Sequence, residues 1–142
     1  MTAVAGPCVF CEIAAGSASA REVWRDEAVV AFLDRAPLFE GHVLVAPTAH
    51  HVTLADLPTA ELGHYFSVVQ RISARLPGAM GAKGTFVANN NVVSQSVPHL
   101  HTHVVPRTKG DGLRGFFWPR TKYRDDDASA AVAATIAAAL RD

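Results

Sequence analysis

At 142 residues, with 49% hydrophobic and 18% charged side chains, the chain is expected to fold as one domain rather than stay disordered. A formal net charge of +0 excludes whole-molecule electrostatic binding to nucleic acid, and no apolar run reaches the ~18 residues of a membrane span. Met1–Pro7 has no charged start and no long apolar core. It is expected to be a flexible tail on a cytoplasmic protein whose single domain runs from residue 8 to 142.

In chain order, Glu22–Arg25 and Ala28–Asp34 are extended runs joined at Asp26-Glu27, which predicts a hairpin. His42–Ala46 is a third apolar run, stopped by Pro47. Asp56-Leu57-Pro58 opens a helix with Glu61 near its positive end. The stripe Leu62, Phe66, Val69, Ile72 and Leu76 is helical in spacing, and Pro77-Gly78 is expected to end it. Thr85–Ala88 resumes as a strand, broken by Asn89-Asn90-Asn91, and Pro98–Val105 is a further strand closed by Pro106. Lys109–Tyr123 is a loop rich in glycine and aromatics, including Phe116-Phe117-Trp118. Asp125–Asp127 caps a last, alanine-rich helix with Val132, Ile136 and Leu140 at helical spacing. This order predicts an α+β domain: an antiparallel sheet of about five strands, one long helix and a C-terminal helix, with the helices on one face.

His99, His101 and His103 stand at every second position of an apolar run. On a strand they share one face, with Leu100, Thr102 and Val104 on the other. Neutral imidazole is available near pH 7, so His101 can attack phosphorus while His103 binds phosphate oxygens and exchanges protons. The competing possibility is that the row itself chelates a catalytic metal.

Cys8-Val9-Phe10-Cys11 is half of a tetrahedral zinc site, which His50 and His99 would complete. A redox pair would be expected at a helix start after a strand, and this one precedes the first strand. Two buried thiols without a function remain the other alternative. Asn89–Val97 supplies amides and hydroxyls (Asn89, Gln95 and Ser96 among them) for phosphate oxygens. Asp34, at a strand end, can accept hydrogen bonds from both ribose hydroxyls. Phe10, Ile13, Phe32 and Leu44 can sandwich a base. From His99 to Arg124, Arg107, Lys109, Arg114, Arg120, Lys122 and Arg124 face the single acid Asp111, an excess that suits a phosphate-bearing ligand.

Gln95-Ser96-Val97-Pro98-His99-Leu100-His101-Thr102-His103-Val104-Val105 resembles the signature of the histidine triad (HIT) superfamily, with Thr102 where an apolar residue is usual. Cys8–Cys11, Val30–Asp34 and Gly41–Pro47 with His50 resemble that family in order and spacing, over roughly residues 8 to 107. The resemblance implies a homodimer with a sheet continuous across it. It also implies a nucleotidyl hydrolase or transferase acting at the α-phosphate of a purine nucleotide derivative, a phosphoramidate or a dinucleoside polyphosphate. His101 would be the nucleophile of a nucleotidyl-histidine intermediate, with His103 and Ser96 assisting. Asp34 would bind ribose, and Phe10, Ile13, Phe32 and Leu44 the base, with Asn89 and Gln95 beside the nucleotide. Cys8, Cys11, His50 and His99 would bind a structural Zn2+. The loop before the triad carries Val92 and Val93 where many members have small residues. A metal-dependent hydrolase using the histidine row, or a non-catalytic nucleotide sensor, are the other function classes.

Overall fold

A computed structural model describes residues 7–114 and 120–141. The expected tail, apart from Pro7, and Phe116-Phe117-Trp118 lie outside the described residues. The chain divides into two compact units, Met1–Asp111 and Gly112–Asp142.

The first unit is a five-stranded antiparallel sheet in the order β1-β2-β3-β5-β4. Its strands are β1 (Glu22–Arg25), β2 (Val29–Leu33), β3 (Val43–Pro47), β4 (Gly84–Ala88) and β5 (Thr102–Arg107). β2 and β3 read as near-continuous apolar runs because both of their faces are covered. Val29, Ala31, Val43 and Val45 pack with Tyr65, Val68, Val69 and Leu76 of the long helix α2 (Thr59–Met80). Val30, Phe32, Leu44 and Ala46 pack instead with Phe10 and Ile13 of α1 (Val9–Ala15). Helices therefore lie on both faces, not on one. The difference is α1, a seven-residue helix that the apolar pattern did not announce.

Cys8 is the N-cap of α1, its Sγ accepting from the Cys11 N–H at 3.4 Å, and Gly16 closes the helix at φ 79°. Arg25 of β1 donates to the α1 carbonyls of Ala14 and Ile13 at 2.8 and 2.9 Å, which anchors the end of α1 to the sheet.

α2 continues through Pro77-Gly78 to Met80, against the expected stop. A proline in the last turn forfeits one helical hydrogen bond, and the turn closes when Gly81 enters the left-handed region and the Ala82 N–H reaches the Pro77 carbonyl at 2.9 Å. Met80 lies against Gly41, whose φ of 93° and lack of Cβ make that approach possible. Pro58 caps α2, while Asp56 sits one turn earlier in a 3-10 turn, Leu54–Asp56, boxed with Thr53.

The second unit contains α3 (Asp126–Leu140). Asp125 caps it as expected, accepting from the Ala128 N–H at 2.8 Å, and none of its side chains is buried.

Candidate active site

Register decides where the histidines point. His103 pairs with Leu44, and Leu44 with Phe32, so these three share the face covered by α1. Thr102 and Val104 pair with Val45 and Val43 and face α2. The ladder begins at Thr102 rather than Pro98. Upstream, the Leu100 N–H turns to the His51 carbonyl at 2.6 Å and the His99 N–H to the Val97 carbonyl at 2.8 Å. Alternation survives without the ladder, since Leu100 is in the α2-side core while His99 and His101 turn to the α1 side.

At one end of the row, Cys8, Cys11, His50 and His99 converge. Cys8 Sγ and Cys11 Sγ lie 3.3 and 3.5 Å from His99 Nδ1, Cys11 Sγ lies 3.2 Å from His50 Nδ1, and the two Nδ1 atoms are 3.2 Å apart. Zinc bonds of ~2.0–2.1 Å to nitrogen and ~2.3 Å to sulfur, at tetrahedral angles, give edges of about 3.3–3.6 Å between such atoms. These are therefore the spacings of a coordination shell. His99 Nε2 donates to the Pro47 carbonyl at 2.8 Å, which leaves the Nδ1 lone pair aimed at the other three ligands. Burial, then Cys8 alongside, pushes the Cys11 thiol up to about 11. At that value the Cys11 thiol stays protonated near pH 7 unless a cation sits beside it. The pair does open a helix, as a redox pair would, but it faces two imidazoles rather than following a strand.

At the other end, a cavity of about 400 Å3 is lined by His101, His103, Ser96, Asp34 and the apolar Phe10, Ile13, Phe32 and Leu44. Phe10 stands between the two ends, edge-on to His101 at 5.0 Å, to Phe32 at 5.2 Å and to His99 at 5.9 Å. The cysteines flanking Phe10 thus hold the helix that walls the cavity.

Hydrogen bonds assign the tautomers. His101 Nδ1 lies 2.8 Å from the His99 carbonyl. A carbonyl only accepts, so Nδ1 carries the proton and Nε2 keeps its lone pair. His42, which its apolar run marks only as a strand residue, completes a relay. Its Nδ1 accepts the Leu38 N–H at 3.0 Å, so its Nε2 carries the proton and donates to His103 Nδ1 at 2.9 Å. His103 therefore presents its own Nε2–H. Burial, and then the His101 ring, hold the His103 pKa down to about 4, so it is neutral near pH 7. His42 is also held below its usual value by burial, with Asp34 opposing. Asp34 Oδ2 is 3.6 Å from His42 Nε2, while its Oδ1 accepts the Ala36 N–H at 2.9 Å. Asp34, His42 and His103 are close enough to form a second metal-type group. In it, however, the two imidazoles already spend a proton and a lone pair on each other.

Two expected contacts lie elsewhere. Asn89 Nδ2 donates to the His101 carbonyl at 2.8 Å and to Thr102 Oγ1 at 2.9 Å. Gln95 spans the loop, donating to the Val52 carbonyl at 2.6 Å and accepting from the Val92 N–H at 2.9 Å. Neither lines the cavity. Thr102, the departure from the apolar pattern, bonds Tyr65 at 2.7 Å, and the Tyr65 hydroxyl donates to the Val45 carbonyl at 2.7 Å. A buried polar chain behind the sheet thus grips the backbone between His101 and His103.

Of the expected basic stretch, Arg107 is spent on Asp111 at 2.6 and 3.0 Å. The guanidinium lining the cavity is instead Arg35, beside Asp34. Its position immediately after the strand-end acid was the available signal. For His42 the signal was a lone polar ring opening an otherwise buried run.

Residues 15–110 match the model of the HIT domain family. An uncharacterised HIT-like protein of Methanocaldococcus jannaschii is 38% identical over 107 residues, 74% of this chain and 82% of its own. The adenylylsulfatase HINT3 of Arabidopsis thaliana is 32% identical over 75% of this chain and 55% of its own. Among solved structures, a zinc-bound histidine triad family protein from Mycobacterium smegmatis superposes with a TM-score of 0.71 at 36% identity, over 92% of this chain and 96% of its own. A histidine triad nucleotide-binding protein from Candida albicans gives 0.81 at 26% identity, over 95% and 98%.

Proposed function

Since the chain belongs to the histidine triad (HIT) family, we propose that it is a nucleotidyl hydrolase or transferase that cleaves at the α-phosphate of a purine nucleotide derivative. The observation that carries this reading is the 2.8 Å bond from His101 Nδ1–H to the His99 carbonyl, which leaves Nε2 as a lone-pair nucleophile in the cavity. The base lies among Phe10, Ile13, Phe32 and Leu44, the ribose hydroxyls on Asp34, and the α-phosphate between His101, His103 and Ser96. His101 Nε2 forms a bond to phosphorus as the bond to the leaving group breaks, and the departing group takes up a proton from solvent. The resulting imidazolium is stabilised through Nδ1–H by the same carbonyl. His103 Nε2–H donates to a non-bridging oxygen and neutralises developing charge. Water or phosphate then displaces Nε2 from phosphorus, loses a proton to solvent and restores the neutral ring.

Cys8, Cys11, His50 and His99 hold a structural zinc in this account. Four protein ligands leave no position for a reacting water, and the zinc-bound relative supports the assignment. The relay through His42 supports proton positioning over metal binding at the second group. The outer edge of β4, which carries no neighbouring strand among the described residues, supports a homodimer with a shared sheet.

The test is turnover of a panel containing adenosine 5′-phosphoramidate, diadenosine tetraphosphate with and without phosphate, and guanosine analogues. Wild type is compared with His101→Asn and with chelator-treated protein that circular dichroism shows to be folded. Activity that survives chelation and vanishes in His101→Asn is the expected result. Loss on chelation from a folded protein would favour a metal-dependent hydrolase, and no turnover across the panel a nucleotide sensor.

A further inference from the structure

At its Asp34 end the cavity opens into a second one of about 510 Å3, lined by Ser19, Ala20, Arg21, Leu33, Asp34 and Arg35. The two share every one of these residues except Arg21, and neither His101, His103 nor Ser96 reaches the second. The second cavity is thus an extension on the side of Asp34 away from the reacting atoms.

Its charge is unusual for a surface hollow. Arg21 and Arg35 flank it, and among the described residues neither guanidinium has an ion-pair partner. The acid next to Arg21 in sequence, Glu22, is bound by Arg25, which also holds the α1 carbonyls. Asp34 is the one carboxylate facing the hollow, and its two oxygens already serve the Ala36 N–H and the His42 ring. Two fork-shaped donors against one committed carboxylate leave a net positive site that suits a tetrahedral oxyanion.

We propose that this hollow is a subsite for a phosphate carried on the 2′ or 3′ oxygen of the bound nucleotide, held by Arg21 and Arg35 with the Ser19 hydroxyl alongside. The proposal rests on the nucleotide reading above. A ribose that sends its 5′ carbon toward His101 and His103 while resting on Asp34 turns its 2′,3′ edge outward, and the outward side of Asp34 is where the second hollow lies. A phosphate on one hydroxyl leaves the other free for Asp34.

The test is calorimetric binding of adenosine 5′-monophosphate, adenosine 3′,5′-bisphosphate and adenosine 2′,5′-bisphosphate to the intact protein and to Arg21→Ala, Arg35→Ala and the double variant. At least one bisphosphate is expected to bind roughly tenfold more tightly than the monophosphate, as two charge-assisted contacts would give. That ratio should fall toward one in each variant and with added salt; the arm that shows it identifies the 2′ or 3′ position. Monophosphate binding with no bisphosphate preference would overturn the subsite and leave the nucleotide reading standing. So would a preference that survives the double variant. If none of the three nucleotides binds, the nucleotide reading itself fails and the subsite falls with it.

Discussion

The two ends of the histidine row use the same ring for opposite purposes. His99 gives its Nε2–H to the Pro47 carbonyl and turns its Nδ1 lone pair toward two thiols and His50. His101, two residues on, gives its Nδ1–H to the His99 carbonyl and turns its Nε2 lone pair toward an open cavity. Which backbone carbonyl each ring meets decides which nitrogen keeps its lone pair and where that lone pair points. Phe10 packs on both rings, so α1 joins the cysteine end to the cavity.

The largest effect should come from breaking the metal end. Cys8→Ser removes a proposed zinc ligand while leaving a hydroxyl oxygen to cap α1. On the account that zinc binding is folding energy, the melting temperature should drop by on the order of 10 °C, with less than one equivalent of zinc by elemental analysis. Turnover by the fraction still folded should fall much less than in any variant at the other end. Equal loss of both would erase the division of labour.

At the cavity end, His42→Phe removes the donor that fixes the His103 tautomer. kcat should fall about 10²-fold with KM little changed, as steady-state kinetics would show. A wild-type kcat would remove His42 from the relay.

Behind the row, Thr102→Val strips a buried partner from Asn89 and Tyr65. Denaturant unfolding should report a loss of about 1–3 kcal/mol. Tyr65→Phe should cost less on the Thr102→Val background than it does alone, because both break one chain. Fully additive losses would mean the chain does not act as a unit.

The smallest effect is a pH slope. His103 has a folded-state pKa of about 4, below the ordinary value of 6.5, so between those pH values the unfolded chain binds more protons than the folded one. Stability from this group is therefore complete above pH 6.5 and declines as pH falls toward 4. The loss should be about 1–2 kcal/mol, because the partly exposed ring is screened by solvent. His103→Asn should flatten that part of the profile; an unchanged slope would assign it to other groups.

Much of this arrangement could be read in the sequence because alternation is a local rule. His99, His101 and His103 share a face even though two of them precede the ladder, and the residues chosen for metal and base converge in space. What escaped was set by partners distant in sequence. α1 is one short helix whose Phe10 and Ile13 are anchored by β2 and β3 and whose end is tied by Arg25, none of which a seven-residue pattern displays. Asn89 and Gln95 have the donors a phosphate needs, yet they bond instead to the His101 and Val52 carbonyls and the Thr102 hydroxyl, brought near by folding. His42 became visible as a relay only when β3 and β5 paired, 61 residues apart in sequence.

The most direct test of the central claim is intact-protein mass spectrometry at neutral pH shortly after mixing with adenosine 5′-phosphoramidate. The account predicts a transient gain of one adenylyl group on wild type, mapped to His101 and absent from His101→Asn. Turnover by His101→Asn at the wild-type rate, or an adduct on any other residue, would contradict it.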